Sequence, residues 1–371
     1  MQLSELLPPE KIRELPASDW RHKILFDQWP GVEDMRGCVN RLLDFAERQK
    51  ILDTEMLSRL GSEDHDQFLS AIHEITIAEF LSPLGNITWY PLGRNSRKGE
   101  FRIIPANYEP IFVEVKTIFL SPDERKRDRN SDVLRDIAHQ IPSPFRINLE
   151  FLKLQHDVTA RRFRSWLRHK IDYLKGELTL PNHESQLTFS ETFDNGNITE
   201  VQVTFVRMQN DDLPITACDM TSGNNQIDLR ERVIQVVDGA LEQLPDNQPT
   251  LVVIASEPLV GLGEIEMIAA MFSYTKVAYK FYKTSTPIKN EEPTIYYSLQ
   301  GIVKQSIRKR LSVVGVWHHK WTKDPEGALD IYHNPLAARQ IPYHVLELPN
   351  VCQLIPKGKD TLEWTPNRPQ H

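Results

Sequence analysis

The sequence predicts an α/β protein built on a mixed β-sheet that is flanked by helices. Helical and strand-like patterns alternate along much of the chain, which is typical of this class. Three short strand-like segments, residues 87–92, 100–105 and 111–119, follow one another with turn-forming sequences between them. Residues 250–256 form an unbroken apolar run, which is typical of a strand buried on both faces. We therefore expect hairpin-linked strands and a fully buried strand in the same chain.

The composition is that of an ordinary globular protein. The 371 residues allow two or three structural units, and 40% are hydrophobic and 26% charged. No run of about 18 apolar residues exists, and the amino-terminal segment is acidic, so we expect neither a membrane span nor a secretory signal. Cys38, Cys218 and Cys352 are far apart and lack metal-ligand spacing. They argue against a zinc site and for a reducing, cytoplasmic location.

The net charge and the missing motifs narrow the function classes. A net charge of −7 argues against a protein that binds nucleic acid over its whole surface, although it permits a local basic patch. The sequence contains no Walker loop, no Gly-x-Gly-x-x-Gly after a strand and no Gly-x-Ser-x-Gly. The chain therefore carries none of the common nucleotide-binding or serine hydrolase signatures.

The amino-terminal segment predicts helices. Residues 33–49 and 53–60 have helical patterns, and we interpret them as a helical cap or a partner-docking segment. Ser62 and the acidic residues after it predict a helix N-terminus, because acidic side chains stabilise the positive end of a helix. That helix should run to about Leu81, where Pro83 and Gly85 end it.

The remaining elements follow the three strands. We expect a charged loop at 121–132 and then a short helix. The elements expected after this helix are a strand at 145–154, a helix at 159–175, a hairpin of 187–193 and 199–208, a helix at 228–244, the buried strand at 250–256, a helix at 264–272, a strand at 312–317 and a strand end at 331–335.

The chain is expected to form three segments. Residues 1–60 are a helical segment, residues 61–256 are the α/β core with an inserted hairpin, and residues 257–371 are an α/β extension. This extension either continues the sheet of the core or forms a separate domain. The first and last segments would serve substrate choice, dimerisation or a partner surface.

Three charged residues on the predicted strands point to chemistry. Glu114 and Lys116 are two residues apart in an apolar strand, so both side chains lie on one face, while Val113 and Val115 take the other. Glu100 stands at the head of the preceding strand. An ion pair on the exposed face of an edge strand is the structural alternative for Glu114 and Lys116.

A helix upstream of the strands supplies a further acid. Glu74 lies on a mostly apolar, small-residue face of the helix that precedes the strands, where an acid is unusual. We prefer it as the helix acid of the site, and Glu79 is its rival. The structural alternative for Glu74 is a core carboxylate that is satisfied by a partner.

These residue types suit phosphodiester hydrolysis. That reaction requires neutralisation of charge on the phosphoryl oxygens, a positioned water and stabilisation of the leaving oxygen. Mg²⁺ prefers oxygen ligands and keeps several waters, so Glu100, Glu114 and the backbone carbonyl of Val115 are candidate ligands for Mg²⁺ or Mn²⁺. Lys116 would orient or deprotonate the attacking water or stabilise negative charge, and Glu74 would assist directly or through a water.

The order of helix acid, strand acid and Glu-x-Lys strand resembles the PD-(D/E)xK, or restriction-endonuclease-like, nuclease superfamily. The resemblance covers residues 67–154, with support from the helix and strand at 228–256. It implies a restriction-endonuclease-like core and a catalytic set of Glu74, Glu100, Glu114 and Lys116. The family usually has aspartate, often after proline, where this chain has Gly99-Glu100, which is one methylene longer.

Two basic segments are candidate nucleic-acid contacts. The charged segment after the Glu-x-Lys strand contains Arg125, Lys126 and Arg127, and the predicted helix at 159–175 carries the basic residues Arg161, Arg162, Arg164 and Arg168. A solvated loop and an amphipathic surface helix are the structural alternatives. A second Glu-x-Lys at Glu124 is discounted because it lies in a polar segment without a strand-borne acid upstream.

The sequence thus predicts a metal-dependent nuclease, and we favour DNA over RNA as its substrate. One alternative is a catalytically inactive scaffold of the same fold. Another is an α/β interaction protein whose ion pairs are only structural.

Overall fold

A computed structural model describes residues 3–6, 9–13, 20–26, 32–153, 160–178, 183–192, 198–207, 229–256, 262, 264–278, 294–299, 309–318, 327–357 and 361–365. Within these residues, six α-helices precede the first strand. They are α1 (Leu3–Leu6), α2 (Pro9–Arg13), α3 (Trp20–Phe26), α4 (Val32–Arg48), α5 (Thr54–Leu60) and α6 (His65–Leu81). The side chain of Asp53 accepts from Met56 N at the start of α5, and Asp64 accepts from Asp66 N at the start of α6.

In the described part of the chain, ten strands form one mixed sheet. They are β1 (Gly85–Trp89), β2 (Phe101–Pro105), β3 (Ile111–Ile118), β7 (Thr250–Ser256), β8 (Ser273–Ala278), β9 (Thr294–Leu299), β10 (Val313–His318), β11 (Ala328–His333), β12 (Val351–Pro356) and β13 (Thr361–Trp364). Their order is β1-β2-β3-β7-β10-β11-β12-β13-β9-β8. The predicted α/β class with a mixed, helix-flanked sheet is confirmed.

The half of the sheet that holds the predicted site has a simple topology. β1, β2 and β3 pair antiparallel in chain order, and β7 then pairs parallel to β3. Two helices, α9 (Leu229–Leu241) and α10 (Glu264–Phe272), flank β7 in the sequence, and α9 packs against β3 and β7. The chain order is therefore α6-β1-β2-β3, an insertion, and then α9-β7.

The insertion is a second compact unit. Contacts divide the chain into residues 1–119 with 228–371 and residues 120–227. The inserted unit contains α7 (Pro122–Gln140), β4 (Phe145–Lys153), α8 (Ala160–Glu177), β5 (Glu184–Thr192) and β6 (Ile198–Arg207). Its strands form a separate antiparallel sheet of order β4-β6-β5.

Each unit has its own hydrophobic core. In the first unit, side chains of α4 and α6 pack with β2, β3, β7 and β10, and Ile72, Ile75, Val113 and Val115 are among the buried members. In the second unit, apolar residues of α7 and α8 pack on one face of the three-stranded sheet. Burial of such a face is the main stabilising contribution in each unit.

The unit boundaries differ from the segments expected along the sequence. The segment after residue 256 joins the first sheet, because β10 pairs parallel with β7 from Val313 to Val316. The elements between β3 and α9 form the inserted unit instead of a hairpin on the core.

Two local expectations were wrong. The segment at 121–132, expected to be a loop, is the first part of α7, because Ser121 and Glu124 form a capping box and Pro122 occupies the first turn. The N-cap of α6 is Asp64 rather than Ser62, whose hydroxyl accepts a hydrogen bond from Asp64 N at 3.0 Å.

Most other predicted elements coincide with observed ones to within a few residues, and the helix at 264–272 coincides fully with α10. The strands β8, β9, β12 and β13 and the helices α1 to α3 were not predicted. The expected turn at 194–197 and Cys218 lie outside the described residues. Among the residues that are described, no helix is long and apolar enough to span a bilayer.

Candidate functional site

The centre of the site is the pair Glu114 and Lys116 on β3. Glu114 is completely buried, and its Oε1 lies 2.5 Å from Nζ of Lys116, which is 26% exposed. Alternation along the strand puts both side chains on one face, while Val113 and Val115 join the core with α6 on the other. Within the described residues, the groups that stabilise the charge of the Glu114 carboxylate are the Lys116 ammonium and the Glu100 backbone.

Glu100 lies beside Glu114. Phe101 of β2 and Val113 of β3 are the last pair of their ladder, and Glu100 and Glu114 are the next residues along the two strands. The charge of Glu114 raises the pKa of Glu100, and the Glu100 backbone lowers that of Glu114. The Glu100 carbonyl accepts from Tyr90 N at 3.0 Å, which holds the start of β2. The two carboxylates are therefore neighbours.

Electrostatics couples the two carboxylates. Burial raises the pKa of Glu100 well above its usual value, and the negative charges of Glu74 and Glu114 add to this effect, while Lys116 and Arg59 oppose it. Burial also raises the pKa of Glu114, although the Lys116 ammonium and the Glu100 backbone act to lower it. Both groups therefore hold a proton more readily than an exposed glutamate does.

Glu74 on α6 is held by an arginine that the sequence reasoning missed. Arg59 of α5 donates Nη1 to Glu74 Oε2 at 2.8 Å and Nη2 to Glu74 Oε1. Glu74 is buried, and burial alone would lower the pKa of Arg59, but the hydrogen bonds and charges of Glu74, together with Glu100, raise it. The arrangement matches the structural alternative of a satisfied core carboxylate, and it also brings a guanidinium to the site.

Tyr90 is a second residue that sequence reasoning missed. Its backbone is in the left-handed region at φ 52°, where a bulky side chain is uncommon, and its buried hydroxyl lacks a hydrogen-bond partner within the described structure. Burial raises the pKa of Tyr90, and the charges of Asp53 and Glu74 raise it further while Arg59 lowers it. Tyr90 therefore lies close to the Arg59–Glu74 pair, and no periodic pattern could have marked it.

His73, the neighbour of Glu74 on α6, fixes the helix to the sheet. Its Nδ1 lies 3.0 Å from Oγ1 of Thr117 on β3, and the ring is buried. This contact joins the helix that carries Glu74 to the strand that carries Glu114. The sequence did not mark His73 as part of the site, and its contact with Thr117 explains how a polar ring can be buried.

The rival helix acid, Glu79, lies in different surroundings. Its carboxylate pairs with Arg41 of α4, with an Arg41 Nη2 to Glu79 Oε2 distance of 3.2 Å. Both residues line a cavity of about 260 Å³ together with Cys38. Glu79 does not contribute to the raised pKa of Glu100 or Glu114, whereas Glu74 contributes to both.

The predicted nucleic-acid contacts all lie in the inserted unit. Arg125 and Lys126 are half-buried on α7, and the backbone of Arg127 belongs to the same helix, while its side chain lies outside the described residues. On α8, Arg161 and Arg168 are exposed.

The other two arginines of α8 are engaged. Arg162 pairs with Glu191 at 2.9 Å, and Arg164 donates to Gln140 at 3.0 Å. Only part of the predicted basic set is therefore presented to solvent without an observed polar partner.

The described residues do not contain three carboxylate, imidazole or thiol groups gathered as a ready metal cluster. The predicted ligand set is smaller, with Glu100, Glu114 and the Val115 carbonyl. Pairing of β2 with β3 ends at Val113, whereas pairing with β7 continues to Ile118. The β2 side of β3 therefore has no ladder partner at Val115. Hard oxygen donors at such an opening fit Mg²⁺ or Mn²⁺, which keep several waters.

Comparison with known proteins gave no relative. No protein-family model matches the chain, and neither a curated protein nor a solved structure matches it.

Proposed function

We propose that the protein is a metal-dependent nuclease that hydrolyses phosphodiester bonds of nucleic acid, with DNA favoured over RNA. The proposed site consists of Glu100, Glu114 and Lys116, with Glu74 assisting from α6. The proposed cofactor is Mg²⁺ or Mn²⁺. The cysteine pattern favours a cytoplasmic location.

One observation carries the proposal. Glu114 is completely buried, the Lys116 ammonium is the positive charge paired with it among the described residues, and a second carboxylate, Glu100, lies close enough to affect its surroundings. A buried carboxylate without full hydrogen bonding is costly, and a second negative charge adds to the cost. Lys116 offsets one of the two charges. A divalent cation that binds both carboxylates would offset the rest.

The chain's own groups would divide the work. Glu100, Glu114 and the Val115 carbonyl would hold the metal ion, which supplies Lewis-acid stabilisation of the phosphoryl charge when bound. The Lys116 ammonium, partly exposed and next to Glu114, would orient the attacking water or stabilise the charge that develops. Arg59 holds Glu74 in place through two hydrogen bonds. Glu74 would then act through the field it imposes on Glu100 or through a water.

The topology supports the resemblance to restriction-endonuclease-like proteins. The helix acid Glu74 lies on α6, and the strand acid Glu100 directly precedes β2. The Glu-x-Lys pair lies on β3, so the three follow one another in the order that the resemblance implies. The later helix and strand are α9 and β7, and β7 lies parallel to β3. The departure from aspartate to Glu100 remains part of the proposal, because its longer side chain must reach the same ion.

The exposed arginines of α8 support a role in nucleic-acid binding. Arg161 and Arg168 are seven residues apart on one helical stripe, and both reach solvent. Arginines spaced along a helix can contact successive phosphates. We propose them, with Arg162, Arg164, Arg125, Lys126 and Arg127, as nucleic-acid contacts.

The alternative function is a catalytically inactive scaffold of the same fold. It is favoured by the bidentate pairing of Glu74 with Arg59, which satisfies the helix acid without a metal. It is also compatible with the Glu114–Lys116 ion pair. The scaffold reading predicts that neither Mg²⁺ nor Mn²⁺ raises the melting temperature.

A cleavage assay tests the proposal. Purified protein should nick or degrade DNA in the presence of Mg²⁺ or Mn²⁺ and should be inactive in a chelator. Loss of transition-state stabilisation by a single group is commonly worth about a hundredfold or more. Lys116→Ala and Glu114→Ala should therefore each lower the cleavage rate by at least about a hundredfold.

Lys357→Ala is the matched control, because Lys357 is an exposed lysine after β12 that pairs with Glu363. It should leave the rate unchanged. Cleavage that survives in both site variants would rule out the assigned residues. Absence of cleavage of any DNA or RNA, together with no metal-dependent shift in melting temperature, would favour the scaffold.

A further inference from the structure

The hairpin that leads into Glu100 presents an exposed basic loop. β1 ends at Trp89 and β2 begins at Phe101, and residues 92–98 between them form what we call the basic loop. Arg94 and Lys98 are exposed, and Leu92 is 68% exposed, which is unusual for a large apolar side chain. Lys98 is separated from Glu100 by one residue. The loop therefore adjoins the carboxylate cluster in the same unit.

The backbone of the basic loop is fixed by its own hydrogen bonds. Gly93 N donates to Arg97 O at 2.8 Å, and Gly99 N donates to Pro91 O at 2.9 Å. Arg94 N donates to Gln243 O at 3.0 Å, which ties the loop to the segment after α9. Backbone hydrogen bonds thus anchor the loop at its base and near its tip.

Close packing and unusual backbone angles show the cost of that conformation. A Cβ on Gly99 would lie 2.1 Å from the Phe112 ring, so only glycine fits there. Asn95 and Ser96 have φ of 54° and 58°, in the left-handed region that non-glycine residues rarely adopt. Such conformations cost free energy and occur often at binding and catalytic sites. The loop therefore has a specific backbone conformation that is supported by its packing.

The charges of the basic loop are available for a ligand. Among the described residues, neither the Arg94 guanidinium nor the Lys98 ammonium is paired with a carboxylate, and Lys98 Nζ lies 5.6 Å from the centre of the Tyr90 ring. Arg97 pairs with Glu242 at 2.6 Å, but both side chains are more than half exposed, so this ion pair is weak. The loop therefore presents two unpaired cations, and a third in a weak ion pair, as a surface that can bind an anionic ligand.

We propose that the basic loop binds the phosphate backbone of the nucleic acid whose scissile bond reaches Glu100 and Glu114. The inference rests on the proposed nuclease function. Arg94 and Lys98 would contact phosphates on the two sides of the cleaved bond, and exposed Leu92 would pack on a sugar or a base edge. A loop whose backbone is already anchored by hydrogen bonds loses less entropy on binding than an unanchored one, and this favours its use as a docking element.

The test measures binding apart from cleavage. A fluorescein-labelled DNA duplex is titrated in a chelator with the protein and with Arg94→Gln/Lys98→Gln, and fluorescence anisotropy gives Kd at several salt concentrations. Each lost phosphate contact lowers the salt slope by about 0.9, so the double variant should lower the slope by about 2. Its Kd at physiological salt should rise by about tenfold.

Lys309→Gln/Lys357→Gln is the matched control, because it removes the same charge from two exposed lysines, one shortly before β10 and one directly after β12. It should leave the Kd and the slope within about twofold of the starting protein. An equal effect of the two double variants would mean that only net charge matters, and it would overturn the proposal.

The binding and cleavage results separate the two proposals. If the protein cleaves DNA while Arg94→Gln/Lys98→Gln binds DNA normally, the loop proposal fails and the nuclease function stands. If the double variant loses DNA binding but no metal supports cleavage, the loop is a nucleic-acid contact and the nuclease function fails. Absence of any duplex binding at low salt would overturn the loop proposal.

Discussion

The negative charges of Glu74, Glu100 and Glu114 act on one another in a largely buried part of the sheet, and among the described residues Arg59 and Lys116 are the positive charges that oppose them. Burial raises the pKa of Glu100, and Glu74 and Glu114 raise it further. One negative charge in this group of five therefore has no positive partner. A proton or a bound cation can neutralise it, and each possibility predicts a different response to pH and metal.

Glu100→Gln should stabilise the metal-free protein at alkaline pH. Because the pKa of Glu100 is raised in the folded state, the folded protein holds this proton more tightly than the unfolded chain does. The resulting stability is full below the unfolded pKa of about 4.3 and is lost as pH rises through the raised pKa. The variant removes this loss, so its melting temperature at pH 8 should exceed that of the starting protein. Scanning calorimetry between pH 5 and pH 8 in a chelator measures the difference.

Metal dependence adds a second readout for the same variant. Mn²⁺ should raise the melting temperature of the starting protein at pH 8, because a bound cation stabilises the folded state by mass action. Glu100→Gln should lose most of this shift. Glu363→Gln, which changes an exposed glutamate on β13, should keep it. An equal metal shift in all three proteins would contradict a metal site at Glu100.

Arg59→Met should destabilise the protein by leaving the Glu74 carboxylate buried without its partner. Removal of one partner of a buried ion pair costs about 3–5 kcal/mol. Because the Arg59 side chain is 23% exposed, we expect about 2 kcal/mol instead, since solvent reaches the pair. The midpoint of urea unfolding measures the change.

A double-mutant cycle checks the cause of that loss. Glu74→Gln in the Arg59→Met background removes the stranded charge and should recover at least half of the lost stability. Additive losses in the double variant would contradict the assignment of Arg59 and Glu74 as a coupled pair.

For single residues, the sequence could predict side chains that are brought together by a local pattern. It could not predict contacts with residues from other elements. Glu114 and Lys116 are adjacent on one face because a strand has a period of two, which the sequence displays directly. Arg59 and Glu74 lie on different helices, and their contact depends on how α5 packs on α6. Tyr90 is marked by its backbone angle and burial, and the sequence displays neither.

Among the elements, α7 shows that a local cap can outweigh composition. Its first ten residues are so polar that they resemble a solvated loop, yet Ser121 accepts from Glu124 N and the Glu124 carboxylate accepts from Ser121 N. Reciprocal bonds of this kind satisfy backbone donors that a helix end leaves unpaired. The cap was readable in the sequence as Ser, Pro and Glu at the correct spacing.

Ser121→Ala should weaken the start of α7. Loss of an N-cap side chain costs about 1 kcal/mol. We expect faster amide hydrogen exchange in the first turn of α7, with little change in the first unit. Ser165→Ala, at an exposed position within α8, is the matched control and should be neutral. Ser121→Asp should restore protection, and unchanged exchange in Ser121→Ala would contradict the role of the cap.

β12 shows why other elements escape prediction. Its residue Gln353 is buried, which the sequence alone would count against a core strand. The polar atoms of this side chain have partners from other segments. Its Nε2 donates to Tyr343 O at 2.8 Å, and its Oε1 lies 2.8 Å from His333 Nε2. Partners this far apart along the chain become visible only in the folded protein.

For the whole molecule, chain order hides which segments share a core. The predicted α/β class follows from alternating patterns, and it holds for the sheet that carries the site. The sequence could not show that β10 joins β7 and that everything between Phe119 and α9 belongs to another unit. Long-range strand pairing has no local signature, since it depends on contacts between segments separated by dozens of residues.

Replacement of residues 120–227 by a linker of about eight Gly and Ser residues should leave the first unit folded. The two units have separate cores, and a side chain of α9 already reaches the end of β3, because Arg232 donates to the Phe119 carbonyl. A short linker can therefore connect the two ends.

All four predicted catalytic residues remain in the shortened chain. Circular dichroism and calorimetry should show one cooperative transition, and Mn²⁺ should raise its midpoint by as much as we expect for the full protein. A shortened chain that is folded but insensitive to Mn²⁺ would show that the metal response needs the inserted unit, whereas an unfolded chain would contradict the independence of the two cores.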